Sequence, residues 1–259
     1  MNQKGGVGKT TTVVNLGAAL AQSGRRVCLI DLDPQAHATL HCGIEPAAER
    51  ATIYDVLAGR TSLGEARRRV ADNLSIVGSS LDLAAAEIEL AGIADRELLL
   101  RNKLGEQAID ADYLLIDCPP SLGVLTLNAL AAVDEVLIPL QPHFLALHGF
   151  SRLLETIQVV ASRLNRRLKL TGVVFCMFDS GTRLAAEVSQ DVEAFLQGSR
   201  GQATPWAGAQ ALRTRIRRNI RLAEAPSFGQ SIFQYAPASH GAEDYRRLAE
   251  EVACGGATT

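Results

Sequence analysis

Apolar residues along this chain fall in blocks whose spacing changes from helical to unbroken and back. Residues 11–23 carry apolar side chains at helical spacing and stop at Gly24, a residue suited to ending a helix. Residues 27–30 then form a short apolar run ending in Asp31-Leu32-Asp33-Pro34, as expected of a strand covered on both faces. Runs at 74–77, 113–116, 135–139 and 171–178 predict four more strands, and helical patterns such as 151–164 and 185–196 separate most of them. Strands alternating with helices predict an α/β fold, a mostly parallel, doubly wound sheet with helices on both faces. The more polar stretch 47–69 reads as a helical excursion between the strands at 27–30 and 74–77. No long linker, internal repeat or low-complexity tract divides the chain, so residues 1–259 are expected to form a single domain.

Composition agrees with one large core: 259 residues, 47% hydrophobic and 21% charged. A formal net charge of -2 gives no global attraction to nucleic acid or membrane, so any such binding must come from a local patch. The five cysteines are widely spaced without a C-x-x-C pair, as expected of reduced cytosolic thiols. The sequence shows no signal peptide and no apolar run of membrane-spanning length, so a soluble, cytoplasmic protein is expected.

The chemistry begins at the amino end. Lys4-Gly5-Gly6-Val7-Gly8-Lys9-Thr10-Thr11 is a phosphate-binding loop: glycines let backbone N–H groups surround an anion, Lys9 reaches the β/γ oxygens, and the Thr10 hydroxyl suits Mg²⁺. The helix that follows adds the positive end of its dipole. Gln3 stands where the usual loop has glycine, and Lys4 beside it is a departure from the usual pattern. Such loops follow a buried strand, and here Met1 and Asn2 alone precede Gln3, so the first strand is expected to be missing or its place filled by something else. Ligands of open α/β sheets bind beyond the carboxyl ends of strands, where Asp33 and Asp117 fall. Asp117 closes Leu114-Leu115-Ile116, an apolar strand delivering a carboxylate towards Mg²⁺, and no glutamate follows it. Asp33 is the best substitute for positioning an attacking water.

Arg213, Arg215, Arg217, Arg218 and Arg221 place five guanidiniums within nine residues, the best local phosphate-binding patch, with Arg183 a weaker addition. Nothing suggests base readout. His37, His41 and Cys42 read as a surface turn rather than a metal site, and Cys118 as a packing thiol rather than a cluster ligand.

Lys4–Thr10, Asp31-Leu-Asp-Pro-Gln35 and Ile116-Asp-Cys-Pro-Pro-Ser-Leu-Gly123, with 125–130, 218–229 and 240–245, resemble the deviant Walker P-loop ATPases of the ParA partition family, most closely the short Soj type. The resemblance implies ATP and Mg²⁺ as cofactors. Lys9 and Thr10 would bind phosphate and Mg²⁺, and Lys4 would reach the partner's ATP across a sandwich homodimer. Asp33 would orient the hydrolytic water, Asp33 and Asp117 would serve Mg²⁺, and Asn219 would lie in the adenine-contacting loop. It further implies sequence-blind binding of double-stranded DNA by the ATP dimer through Arg183, Arg215, Arg217, Arg218 and Arg221, nucleoid association, and a ParB-type centromere-binding partner that stimulates hydrolysis. Arg217 stands where the family usually has proline. A non-catalytic or cargo-positioning regulator of the same fold is the alternative. A membrane-recruited ATPase of the MinD type is weaker, because the tail from Leu248 is acidic, short and broken by glycine.

Overall fold

The computed structural model describes residues 6–48, 51–107, 109–143 and 146–254. Helix α1 (Lys9–Gln22) leads to β1 (Val27–Asp31), α2 (His37–His41), α3 (Ile53–Leu57), α4 (Leu63–Ala66), β2 (Arg67–Ala71) and β3 (Leu74–Val77). Next come α5 (Leu83–Glu89), α6 (Leu99–Glu106), β4 (Tyr113–Asp117), α7 (Val124–Ala132), β5 (Glu135–Leu140), α8 (Ala146–Arg163), β6 (Lys169–Phe178) and α9 (Arg183–Gly198). The last part comprises β7 (Gln210–Arg217), α10 (Ile220–Glu224), α11 (Ile232–Tyr235) and α12 (His240–Ala253), with short 3-10 turns between elements.

The strands form two hydrogen-bonded groups, β2-β3-β1-β4 and β5-β6-β7. Every pairing among these is parallel except that of β2 with β3. Strand β1, flanked by β3 and β4, is buried along its whole length, which is why it reads as an unbroken apolar run. One hydrophobic cluster joins α1 and α12 to residues of β1 and β3 and also of β6 and β7, so helix packing on one face ties the two groups together. The other face is covered by α3, α6 and α7 over β1 and by α8 and α9 over β5 and β6. The α/β architecture with helices on both faces is as expected.

Two strands escaped the sequence reading. Strand β2 reads Arg-Arg-Arg-Val-Ala and begins at the end of the stretch taken as a helical excursion; α3 and α4 do form there, but Arg67 starts an antiparallel edge strand. Charged side chains at a sheet edge discourage pairing with another chain, so polarity here marks an edge rather than a helix. Strand β7 carries three of the arginines taken as a basic patch. Its outer edge is capped by α12: the Arg213 and Thr214 N–H groups donate to Glu251 and the Arg217 N–H to Asp244.

Candidate functional site

The phosphate loop enters α1 through Gly6 (φ 78°) and Gly8 (φ 93°), both in the left-handed region that disfavours a side chain. A Cβ at Gly8 would also stand 3.6 Å from the Cβ of Cys176, so β6 backs the loop closely. Val7 is buried and anchors the loop in the protein. Among the described residues no side chain caps the amino end of α1, and no acid lies in its first turn. Its leading N–H groups and dipole are therefore available to an anion. Lys4 and Gly5 lie outside the described residues.

Thr10 and Asp117 meet directly. The Thr10 hydroxyl donates to Asp117 Oδ2 at 2.7 Å, while Asp117 Oδ1 is buried without a hydrogen-bond partner among the described residues. A threonine hydroxyl beside an orphaned carboxylate oxygen is the hard-oxygen donor set that suits Mg²⁺. Burial, then the negative charge of Asp31, pushes the Asp117 carboxyl up to about 7; its hydrogen bond from Thr10 acts in the opposite direction. A dication would favour the ionised form and relieve that conflict. Lys9 is half-buried, and desolvation lowers its pKa against the opposing attraction of Asp117 and Asp33. The structure thus brings Lys9, Thr10, Asp33 and Asp117 into one electrostatic neighbourhood, while Thr11 sits in the first turn of α1.

Asp33 is buried, and its Oδ1 accepts the Gln35 N–H. The residue holding this segment in place is Asp31, which sequence reasoning quoted without a role. Asp31 is fully buried: Oδ1 accepts the Asp33 N–H, and Oδ2 accepts both the N–H and the hydroxyl of Thr39. Thr39 Oγ1 in turn accepts the Ser79 N–H at the end of the β3 run. Desolvation raises the Asp31 pKa to about 6, against these hydrogen bonds. The chain leaves Asp33 through Ala36, a non-glycine residue at φ 53°, into α2. The available signal in sequence was two aspartates at a strand end with a threonine downstream; only the fold shows that Thr39 returns to Asp31.

Helix α2 also corrects the reading of His37, His41 and Cys42 as a surface turn. His41 is 1% exposed, with Nε2 buried and unpartnered among the described residues. No cluster of metal-ligating side chains was found among them. Beyond α2, Gly43 packs against Gly229, where a Cβ on Gly229 would fall 2.6 Å from Gly43 Cα.

The arginines do not form one free patch. Arg217 is bound by Asp244 at 2.6 Å and Glu243 at 2.7 Å, which raise its pKa. Arg215 lies over the ring of Phe178 at 4.4 Å and pairs with Glu193. Arg221 pairs with Glu224 and Arg183 with Glu187. The exposed side chains of Arg213 and Arg218 have no partner among the described residues. Asn219 caps α10, its Oδ1 accepting the Arg221 N–H, and among the described residues none of its hydrogen bonds reaches the phosphate loop.

Comparison with known proteins agrees with this geometry. A family model described as AAA domain matches residues 1–170. The chain is 44% identical over 256 residues to the sporulation initiation inhibitor protein Soj of Bacillus subtilis, covering 98% of this chain and 97% of that protein. It is 47% identical over 251 residues to the chromosome-partitioning ATPase Soj of Thermus thermophilus, covering 97% and 92%. Among solved structures, a cobyrinic acid a,c-diamide synthase from Mycobacterium smegmatis with bound ATP analog and magnesium superposes with a TM-score of 0.82 at 36% identity, covering 98% of this chain and 92% of that one. With the phosphate loop, the Thr10–Asp117 contact and the Asp31–Asp33 segment arranged as above, the chain belongs to the Soj/ParA family of chromosome-partitioning ATPases.

Proposed function

We propose that this protein is an ATP-driven partitioning switch, and the observation that carries the reading is the Thr10–Asp117 contact at the foot of an uncapped helix entrance. ATP is the substrate and Mg²⁺ the accompanying ion, as the ADP-, ATP-analog- and magnesium-bound structural relatives support. The loop N–H groups and Lys9 hold the phosphates. Thr10 and Asp117 hold Mg²⁺, which supplies neutralisation of phosphoryl charge. Asp33 orients the attacking water, and Asp31 fixes Asp33. Lys4 completes the site of a second protomer, so that ATP closes a homodimer.

The dimer binds double-stranded DNA without sequence preference, and Arg213 and Arg218 contribute most. Arg215, Arg217, Arg221 and Arg183 contribute less, because each is engaged in an ion pair. A centromere-binding protein of the ParB type stimulates hydrolysis and releases the dimer from the nucleoid. No described helix is long and apolar enough to cross a membrane. The test is ATP turnover with neither addition, with DNA, and with DNA plus the ParB-type protein. The reading expects stepwise stimulation; turnover indifferent to both additions would contradict it.

A further inference from the structure

A polar contact crosses the apolar packing of α12 on α1. Tyr245 of α12 is fully buried, and its hydroxyl lies 3.2 Å from that of Thr12, its one hydrogen-bond partner among the described residues. Thr12 is itself buried, and its N–H donates to the Gly8 carbonyl of the phosphate loop at 2.8 Å. Its hydroxyl also lies 3.7 Å from the thiol of Cys176, the residue that backs Gly8. A buried phenol left unpaired is costly, so Tyr245 is bound to follow Thr12.

The preceding residue faces another way, since consecutive helical positions point about 100° apart. Asp244, also buried, turns to β7: Oδ2 accepts the Arg217 N–H at 2.9 Å, and both oxygens engage its guanidinium. Two turns on, Glu251 accepts the N–H groups of Arg213 at 2.7 Å and Thr214 at 2.9 Å. At the start of α12, a Cβ on Gly241 would fall 2.8 Å from Leu222 Cγ and 3.2 Å from Asn219 Nδ2. The helix therefore cannot shift without moving the chain just beyond Arg218. Helix α12 is fixed on one side to the helix of the phosphate loop and on the other to the strand that carries Arg213 and leads into Arg218.

We propose that α12 is a coupling bar within one protomer: Tyr245 senses occupancy of the phosphate loop through Thr12, and Asp244 and Glu251 pass it to β7, setting the position of Arg213 and Arg218. Tyr245 is thus a positioning residue acting through Thr12. An anion that orders the turn from Gly8 to Thr12 firms the Thr12–Tyr245 contact and with it the docking of α12 along β7. By reciprocity, whatever holds Arg213 and Arg218 in place tightens the loop by the same factor. The coupling requires nucleotide binding alone; its consequence for DNA rests on the function proposed above.

The Arg213, Thr214 and Arg217 amides report directly, because their hydrogen bonds run to α12. Amide exchange is measured without nucleotide and with ADP and Mg²⁺ in the native chain, Tyr245→Phe, Thr12→Val and Thr12→Ser, beside calorimetric titration of ADP. In the native chain and in Thr12→Ser, which keeps the hydroxyl, nucleotide should slow those three amides at least about fivefold. In Tyr245→Phe and Thr12→Val it should still slow the amides of β1 but leave those three within about twofold, with ADP affinity within about threefold of native. Stabilisation of the whole fold by ligand slows both sets together, so a merely structural tyrosine keeps the native pattern at a lower thermal midpoint. That pattern in either variant, or no slowing of the three amides in the native chain, would overturn the proposal. A second arm reads affinity for random-sequence duplex, where the preference for ATP over ADP should fall at least about fivefold in Tyr245→Phe; an undiminished preference would overturn the link to Arg213 and Arg218. A native chain without that preference, yet with the amide response described, contradicts the DNA-binding function and supports the coupling.

Discussion

Thr10 and Asp117, 107 positions apart in sequence, share a 2.7 Å hydrogen bond that joins the first turn of α1 to the carboxyl end of β4. The bond occupies one carboxylate oxygen and leaves the other buried and unpaired among the described residues. Replacing Thr10 with Val keeps the volume but strips the donor from a buried carboxylate, a loss of about 1–3 kcal/mol. The expected outcome is a lower thermal midpoint without Mg²⁺, read by scanning calorimetry, and a nucleotide affinity that no longer responds to Mg²⁺, read by calorimetric titration. The variant Asp117→Asn should lose the Mg²⁺ response while folding at least as stably, since burial disfavours the native charge.

Asp31 is a positioning residue. Asp31→Ala removes the acceptor for the Asp33 N–H and for both donors of Thr39. ATP turnover should fall at least tenfold with nucleotide affinity little changed, because the phosphate loop is untouched. Thr39→Val should show a smaller loss of the same kind. Equal loss of affinity and turnover in Asp31→Ala would place the residue in binding instead.

His41 supplies a pH dependence with a definite sign. Burial lowers its pKa from 6.5 to about 4, so the unfolded chain takes up the proton first as pH falls. The contribution of His41 to stability is fully present above about pH 6.5 and erodes progressively towards pH 4, by up to roughly 3 kcal/mol. Urea unfolding of the native chain and of His41→Phe between pH 5 and 8 reads this directly: the substitution should flatten the slope below pH 6.5.

How much of this was legible in sequence depends on what each residue contacts. Strands β1 and β4 were visible because each is a short apolar run ending in aspartate, and the loop glycines announce their own chemistry. Strand β2 was hidden because an edge strand protected by Arg67, Arg68 and Arg69 has the composition of a solvated segment. The arginines of β7 were seen but not their different pairing: Asp244 and Glu243, which claim Arg217, lie on a helix more than twenty residues onward. The role of Asp31 needed the return of Thr39, which only the fold supplies. Lys4, the most telling residue of the sequence, lies outside the described residues.

That inequality among arginines predicts a division of effects. Arg218→Ala and Arg213→Ala should weaken DNA binding and each reduce the steepness of its salt dependence by about one unit, with thermal stability unchanged. Arg217→Ala should lower the thermal midpoint first, because it leaves the buried Asp244 carboxylate without its cation. Fluorescence anisotropy over a salt series, beside melting curves, separates the two.

Ala36 enters α2 at φ 53°, a conformation costing a non-glycine residue about 1–2 kcal/mol. Ala36→Gly should therefore raise stability or leave it unchanged, while loosening the segment after Asp33. A melting curve paired with single-turnover hydrolysis would show higher or equal stability with slower chemistry.

The central claim is that one chain couples ATP state to dimerisation and DNA binding, with Asp33 serving hydrolysis alone. Light scattering of Asp33→Ala in saturating ATP and Mg²⁺, followed by addition of random-sequence duplex, tests it most directly. The account predicts a stable dimer that binds DNA and releases no phosphate. A monomer that ignores DNA, or a dimer that hydrolyses ATP at the native rate, would contradict it.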